Sequence, residues 1–391
     1  MRLPTHLDRY PAKMVSRLAG RLVDMYARDA DHLFDPFCGS AAVVAAAQQR
    51  GIRTTGSDLN PIAELFFRVK LGGFDAAVGY ALVSEWIISA RRMREGKTID
   101  WHAKSYWFTS ATLNKFERLR AAWHELGFPP THETAAALLS FALAVRLCSR
   151  ADQRSPKPFI SKQATTERKR RHFDPYRTVL DVLVHLADLY PSQSAAPPAR
   201  FVRVDITSET FKSARIRRCS HVITSPPYIN AQDYYRNFKL ELHVLEGLLP
   251  FRVSDLRESF IGTDRGKLLT RVPPDALDRH RSMFLSVSRL EARSDRLSAV
   301  LHRYLHDMDC AFSRIREALV PHGMLVMVCG DNLLAGLRVP TWKLLDRLLV
   351  DGGFVLRDRF TDSIGDRLLA PKRHGHKGLI KREVVSAYQL V

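Results

Sequence analysis

The sequence predicts an α/β fold: a seven-stranded, doubly wound sheet carrying two mostly helical insertions. Three observations predict it. Residues 31 to 60 run apolar strand, glycine turn, helix, second strand and terminal acid, the front half of a doubly wound sheet. Three later runs, "FVRVDITS" (201–208), "SHVITSPPY" (220–228) and "GMLVMVCGD" (323–331), are apolar and end in polar or turn residues, as buried parallel strands do. The last two runs, "GFVLRDRFTDSI" and "REVVSAYQLV", form a closing hairpin with a long connection.

Each element follows from its local pattern. Apolar residues at 14, 18, 22 and 25/26 have amphipathic helical spacing. "HLFD" is a short strand ending at Asp35, and a helix of Ala and Val begins at about Ser40. "IRTTGSDLNP" is a second strand ending at Asp58, and Pro61 suits the first turn of the next helix. Residues 61–199 are mostly helical by pattern, with "ETAAALLSFALAVRLCSRA" as an example, and "YPSQSAAPPAR" (190–200) is a linker into the third strand. Residues 231–318 are also helix-rich. This divides the chain into a core of 1–60, 200–230 and 319–391, and two insertions, 61–199 and 231–318.

Composition narrows the function. At 391 residues, 46% hydrophobic and 26% charged, the chain has the make-up of a soluble globular protein with a large core. Its 60 basic against 41 acidic residues give a net charge of +19, which attracts polyanions, most simply nucleic acid. No window carries eighteen uninterrupted apolar residues, and the first residues lack the apolar stretch of a secretory signal, so a cytoplasmic location is expected. Five scattered cysteines without a C-x-x-C pair point to reduced thiols and offer no zinc site.

The turn Asp35-Pro36-Phe37-Cys38-Gly39-Ser40 joins strand to helix, where a glycine admits close ligand approach and the helix start offers free N–H groups. It is neither G-x-G-x-x-G nor a phosphate-binding G-x-x-x-x-G-K-[ST] loop. Asp58 ends the second strand, placed to accept hydrogen bonds from ribose hydroxyls. In "TSPPY", two prolines stop a strand and stiffen the turn that follows, from which a tyrosine projects.

Taken together, "DPFCGS", "SDLNP" and "TSPPY" resemble three hallmark motifs of the amino-methylating DNA methyltransferases, which modify cytosine N4 or adenine N6. "HLDRYPAKM" (6–14), "RFVRVD" with Asp205, and "IGDRLLAPKRHGHKG" with "REVV" are similar to further segments of that family. The resemblance covers about half the chain and implies a Rossmann-like class I methyltransferase sheet. It implies S-adenosylmethionine as cofactor, held by Tyr10, Pro11, Asp35, Pro36, Phe37, Cys38, Gly39, Ser40, Asp58, Leu59, Asn60, Asp205 and Ser225. It implies Ser225, Pro226, Pro227 and Tyr228 as the catalytic base site, without a metal.

The chemistry fits these residues. An exocyclic amine is a poor nucleophile because its lone pair is delocalised into the ring. Acceptors such as the Ser225 hydroxyl and the Pro226 carbonyl favour a pyramidal nitrogen, and Tyr228 can stack on an extruded base. Catalysis is then positioning and electrostatics. No Pro-Cys pair occurs, which separates the chain from the cytosine-C5 enzymes. In the family that the motifs resemble, serine rather than aspartate before Pro-Pro-Tyr leans towards cytosine N4, so the resemblance implies cytosine N4 first and adenine N6 second. Ala41 stands where the family commonly has a second glycine, and the larger insertion lies at an unusual place for a target-recognition region. The order of the motifs excludes the β-type circular permutation.

Between Arg146 and Arg177 lie ten basic residues against three acids. Arg154, Lys157, Lys162, Arg168, Lys169, Arg170 and Arg171 are candidates for phosphate contacts, which give affinity without reading sequence. Arg236 and Lys239 in "AQDYYRNFKLELHVL" either line the entrance for a flipped base or pack a helix on the sheet. "FIGTDRGK" (260–267) is a basic glycine loop that could reach a groove. The expected activity is site-specific methylation of duplex DNA in the bacterial nucleoid, with room for a separate cognate restriction endonuclease and none for a membrane partner. The alternatives are an RNA amine methyltransferase and a non-catalytic nucleic-acid-binding protein on the same scaffold.

Overall fold

The computed structural model describes residues 10, 14–155, 157–162, 166, 173–192, 197–208, 211, 216–229, 234–266, 268–363 and 382–391. Its sheet contains β1 (His32–Asp35), β2 (Arg53–Asp58), β3 (Ala199–Arg203), β4 (Cys219–Thr224), β5 (Leu319–Cys329), β8 (Phe354–Ser363) and β9 (Arg382–Leu390). A separate hairpin pairs β6 (Asn332–Leu334) with β7 (Leu337–Val339). The strand order is β3-β2-β1-β4-β5-β9-β8. The first five strands are mutually parallel, and β9 is antiparallel to both β5 and β8. This is the predicted seven-stranded doubly wound α/β sheet with its closing hairpin.

The strand boundaries differ from the sequence expectation in an instructive way. β3 ends at Arg203 rather than near 208, because Asp205 turns the chain by accepting from the Thr207 N–H and hydroxyl at 2.9 and 2.7 Å. β4 ends at Thr224, ahead of the proline pair. β5 begins four residues early, at Leu319.

Helices cover both faces. On one, α1 (Ser16–Tyr26) and α2 (Ala42–Gln48) bury Leu18, Leu22, Val23, Val43 and Val44 against β-strand residues such as Leu33, Ile223 and Val326. On the other, the helices Asp295–Ala318 and Thr341–Asp351 pack Leu301, Met308, Phe312, Leu345 and Leu348 over Phe34, Val222 and Leu325. Asn60 caps α3 (Pro61–Gly72) by accepting the Ile62 N–H at 3.0 Å, with Pro61 at the first helical position.

The stretch from α3 to β3 forms its own helical layer, with helices Ala76–Arg92, Ser110–Leu126, His132–Cys148 and Pro175–Leu189. Trp86 lies at its centre, fully buried, edge-on to Trp123 and Phe141, its indole N–H donating to the Leu119 carbonyl at 2.7 Å. Trp86→Ala removes a large buried ring and takes a second donor from a carbonyl that the helix Ser110–Leu126 already pairs, so a loss of about 3–5 kcal/mol of stability, nearly all from the cavity, is expected, read as a lowered denaturation midpoint.

Candidate functional site

The carboxyl ends of β1, β2 and β4 open onto one cleft of about 800 Å³, its open mouth included. Its walls carry Tyr10, Asp35, Pro36, Phe37, Cys38, Gly39, Ser40, Asp58, Leu59, Asp205, Ser225 and Pro227. These come from segments as far apart in sequence as Tyr10 and Pro227, and parallel pairing of the strands brings them together. That is where a doubly wound sheet binds ligands.

The turn after β1 is held tightly. The Gly39 N–H donates to Asp58 Oδ2 at 2.9 Å, and the Asn60 N–H donates to Oδ1 at 2.8 Å. Gly39 has φ +47°, and a Cβ there would lie 2.8 Å from the Tyr10 ring. Glycine is therefore required for conformation and for space. Tyr10 is buried, accepts from the Asn60 side-chain amide at 3.2 Å, and packs beside Phe66 and Phe238. Ala41 also takes a left-handed φ of +63°, with its methyl fully buried, and it is not among the residues lining the cleft. A side chain there carries backbone strain that a second glycine avoids.

Two carboxyls face each other's field in this cleft. Burial pushes Asp35 up to about 7, while hydrogen bonds from the Thr224 hydroxyl at 2.6 Å and the Phe37 N–H at 3.2 Å oppose the rise. Burial likewise pushes Asp58 up to about 6, against the N–H groups it accepts. Burial raises the Cys38 thiol well above its ordinary value. Its sulfur packs over Gly56, where a Cβ would stand 3.1 Å from it, and a buried thiol kept protonated is a poor nucleophile.

The Ser-Pro-Pro-Tyr turn divides between cleft and interior. Ser225 is half-buried on the wall, and its hydroxyl has no hydrogen bond among the described residues. Pro226 is buried, and the Pro227 carbonyl accepts from the Tyr304 hydroxyl at 2.9 Å. Tyr228 does not line the cleft. It is 5% exposed, and its hydroxyl donates to Glu383 Oε1 at 2.6 Å.

Several wall residues escaped the sequence reading: Val204, Ile206, Tyr234, Ser259, Phe260 and Ile261. The rings of Tyr234 and Phe260 stand 6.1 Å apart, tilted by 34°. The available signals were the aromatic run after the Ser-Pro-Pro-Tyr turn and the apolar pair before Gly262. The "FIGTDRGK" loop thus contributes Phe260 and Ile261 to the cleft.

The candidate phosphate contacts lie elsewhere. Arg154 is turned onto the buried Asp152, donating from Nε at 2.9 Å and from Nη2 at 2.5 Å, and that pairing holds the Asp152 carboxyl well below its usual range. The Lys239 ammonium sits 4.3 Å above the Trp107 ring. Arg236 and Lys162 are exposed and Lys157 is half-buried. Pro11, Arg168, Lys169, Arg170 and Arg171 lie outside the described residues, as does the "IGDRLLAPKRHGHKG" segment. All five cysteines are free. Among the described residues no group of His, Cys, Asp and Glu is arranged to hold a metal, and no helix is long and apolar enough to cross a membrane.

Comparisons with known proteins give a narrow result. No family model matches the chain. Among solved structures, it is similar to TrmN from Thermus thermophilus, with 10% identity, a TM-score of 0.33, and 97% of this chain and 49% of that chain covered. It is also similar to the rRNA methyltransferase aviRa from Streptomyces viridochromogenes, with 12% identity, a TM-score of 0.32, and 98% and 90% of the two chains covered. Among curated proteins, 113 residues are 26% identical to the type II methyltransferase M.MvaI of Kocuria varians. That match takes in 28% of this chain and 24% of the relative, so it is over about a quarter of its length that the chain is similar to a methyltransferase.

Proposed function

We propose that the chain is an S-adenosylmethionine-dependent methyltransferase that modifies an exocyclic amine of a base in duplex DNA, cytosine N4 before adenine N6. The observation that carries the reading is that Asp58 and Ser225 line a single cleft, at the carboxyl edge of a sheet with the strand order described above. The partial similarity to a type II methyltransferase supports the same reaction class.

The residues present fit the cofactor. Asp35, Asp58 and Asp205 offer carboxylates to a cation and to ribose hydroxyls, the Gly39 turn admits close approach, and Phe37, Val204 and Ile206 give apolar contact to a purine. When bound, S-adenosylmethionine supplies a methyl group on a cationic sulfur. The chain orients the amine: the Ser225 hydroxyl accepts one of its hydrogens and the proline pair fixes the turn, while the Pro226 carbonyl can take the other only if the turn shifts, because Pro226 is buried and does not line the cleft. Tyr234 and Phe260 on the facing wall provide apolar surface for an extruded base. Stacking on Tyr228 instead requires its ring to leave the position in which the hydroxyl donates to Glu383.

In this reading residues 1–60, 200–230 and 319–391 are the catalytic core, and 61–199 and 231–318 are the candidate DNA-contacting insertions. Arg154, Lys157, Lys162, Arg236, Lys239 and the basic run 168–171 are the candidates for phosphate contacts, of which Arg154 pairs with Asp152 and Lys239 sits over Trp107.

The test is transfer of a labelled methyl group to duplex DNA in competition with tRNA and rRNA. Label on DNA supports the proposal, label on RNA alone replaces the substrate, and cofactor binding that calorimetry fails to detect removes the enzyme reading altogether. The acidity of the cleft adds a pH dependence. Asp35 and Asp58 titrate near 7 and 6 when the cleft is empty, and a bound cation and hydroxyl donors favour their charged forms, so binding releases protons. Cofactor affinity is expected to be full above pH 7.5. Below pH 6 it should weaken by about tenfold per unit for each proton taken up, as titration calorimetry across that range will show.

A further inference from the structure

Two adjacent residues of the helix Asp295–Ala318 are polar, large and buried: Arg303 is 4% exposed and Tyr304 fully buried. Each donates to a backbone carbonyl: one is in a wall of the cleft, and the other immediately precedes a second lining segment. The Tyr304 hydroxyl donates to the Pro227 carbonyl at 2.9 Å, inside the Ser-Pro-Pro-Tyr turn. Arg303 Nη2 donates to the Glu258 carbonyl at 2.6 Å, next to the Ser259, Phe260 and Ile261 wall, while its Nε faces Asp307 Oδ2 at 3.4 Å. Leu301, Leu305 and Met308 around them are buried in one apolar cluster, so the helix itself has little freedom to shift.

Packing alone does not call for these groups. A phenylalanine would fill the Tyr304 site, and a buried guanidinium is costly unless its donors are satisfied. What the two groups add is direction: they tie both walls to one rigid helix, one residue apart. The walls also touch through backbone. Gly262 has φ +78°, and a Cβ on it would lie 2.7 Å from the Tyr228 carbonyl, so the loop after Phe260 lies directly against the turn. Asn332 holds the next carbonyl, that of Ile229, at 3.1 Å, and is itself held by Thr341 at 2.8 Å. Three donors from outside the turn and its facing loop therefore set the height and separation of the two walls.

We propose that Tyr304 and Arg303 are positioning residues: they fix the Ser225–Pro227 wall against the Ser259–Ile261 wall, and so set the geometry in which the amine of a base meets the Ser225 hydroxyl. This rests on the methyl-transfer reading for its catalytic consequence, and on hydrogen bonding alone for its structural one. A displaced wall changes the alignment of reacting groups more than it changes binding of a ligand held mainly by Asp58 and the Gly39 turn.

The test uses Tyr304→Phe, which keeps the ring, and Arg303→Met, which keeps the length. Two measurements are made on each full chain. Hydrogen exchange is expected to rise at least tenfold in peptides spanning 225–229 and 256–262, with the β1 and β2 peptides unchanged. In single-turnover methyl transfer with DNA, the rate is expected to fall at least tenfold for Tyr304→Phe, with cofactor affinity within threefold. Unchanged exchange in both peptides overturns the proposal, and so does exchange raised evenly over the sheet, which marks ordinary destabilisation. A transfer rate within twofold of wild type, or one falling in step with cofactor affinity, overturns the catalytic part. Wild-type protein that binds cofactor and methylates neither DNA nor RNA defeats the methyltransferase reading instead, and the exchange result still decides the wall-fixing role.

Discussion

Asp58→Ala is expected to weaken S-adenosylmethionine binding by at least about a hundredfold, because one carboxylate does two jobs there. It receives the Gly39 and Asn60 N–H groups at 2.9 and 2.8 Å, which shape the turn, and it borders the cleft where ligand hydroxyls would donate. Hydrogen bonds to a charged group contribute about 1.5–3 kcal/mol each, and 1.4 kcal/mol is a tenfold change in affinity. Loss of one ligand bond together with the ordered turn reaches the stated factor. Asp58→Asn keeps an acceptor and should fall between. Alanine also strands the Gly39 and Asn60 N–H groups, so a loss of about 1–3 kcal/mol of stability for each is expected alongside the weaker binding. Calorimetry measures the affinity and thermal unfolding checks the fold; an affinity within threefold of wild type in a folded Asp58→Ala protein rules out this pocket as the cofactor site.

Ser225→Ala is expected to separate the two halves of the cleft. Its hydroxyl has no partner among the described residues, so removing it strands no buried group and costs little stability. In the proposed reaction that hydroxyl accepts from the amine as its nitrogen becomes pyramidal. Removal of one such preorganised group slows chemistry by about 10²–10³-fold. Single-turnover transfer should fall by that factor, with cofactor affinity changed by less than about threefold. A parallel loss of affinity would mean that Ser225 belongs to the cofactor half, and an unchanged rate would remove it from the chemistry.

The sheet and the cleft wall built from the turns after β1 and β2 were legible because they rest on local rules. An apolar run ending in an acid, a glycine turn and a proline at a helix start are written within a few residues, and Asp35, Gly39 and Asp58 followed from them. Ser225 was legible because two prolines end β4 there. Phe260, Ile261 and Tyr234 were not, since their place depends on how distant helices pack. Arg303 and Tyr304 were hidden for a stronger reason: in a 24-residue amphipathic helix a charged residue is normally assigned to the wet face, and only the fold shows both buried. Arg154 shows the opposite limit. In sequence it is one of a basic series, whereas in space it answers Asp152, an acid two residues away that only a tight turn can turn back on it.

The position of β9 has a consequence for assembly. It lies between β5 and β8, yet it follows both of them in sequence. Until residues 382–390 emerge from the ribosome, β5 presents an unpaired edge, and β8, which among the described strands pairs with β9 alone, has no place in the sheet. The helical layer of residues 61–189, whose contacts are nearer in sequence, can form well before this. The nascent chain therefore passes through a stage with a gap in its sheet, and a shortened chain lacking β9 would stay there, prone to pairing with its own kind.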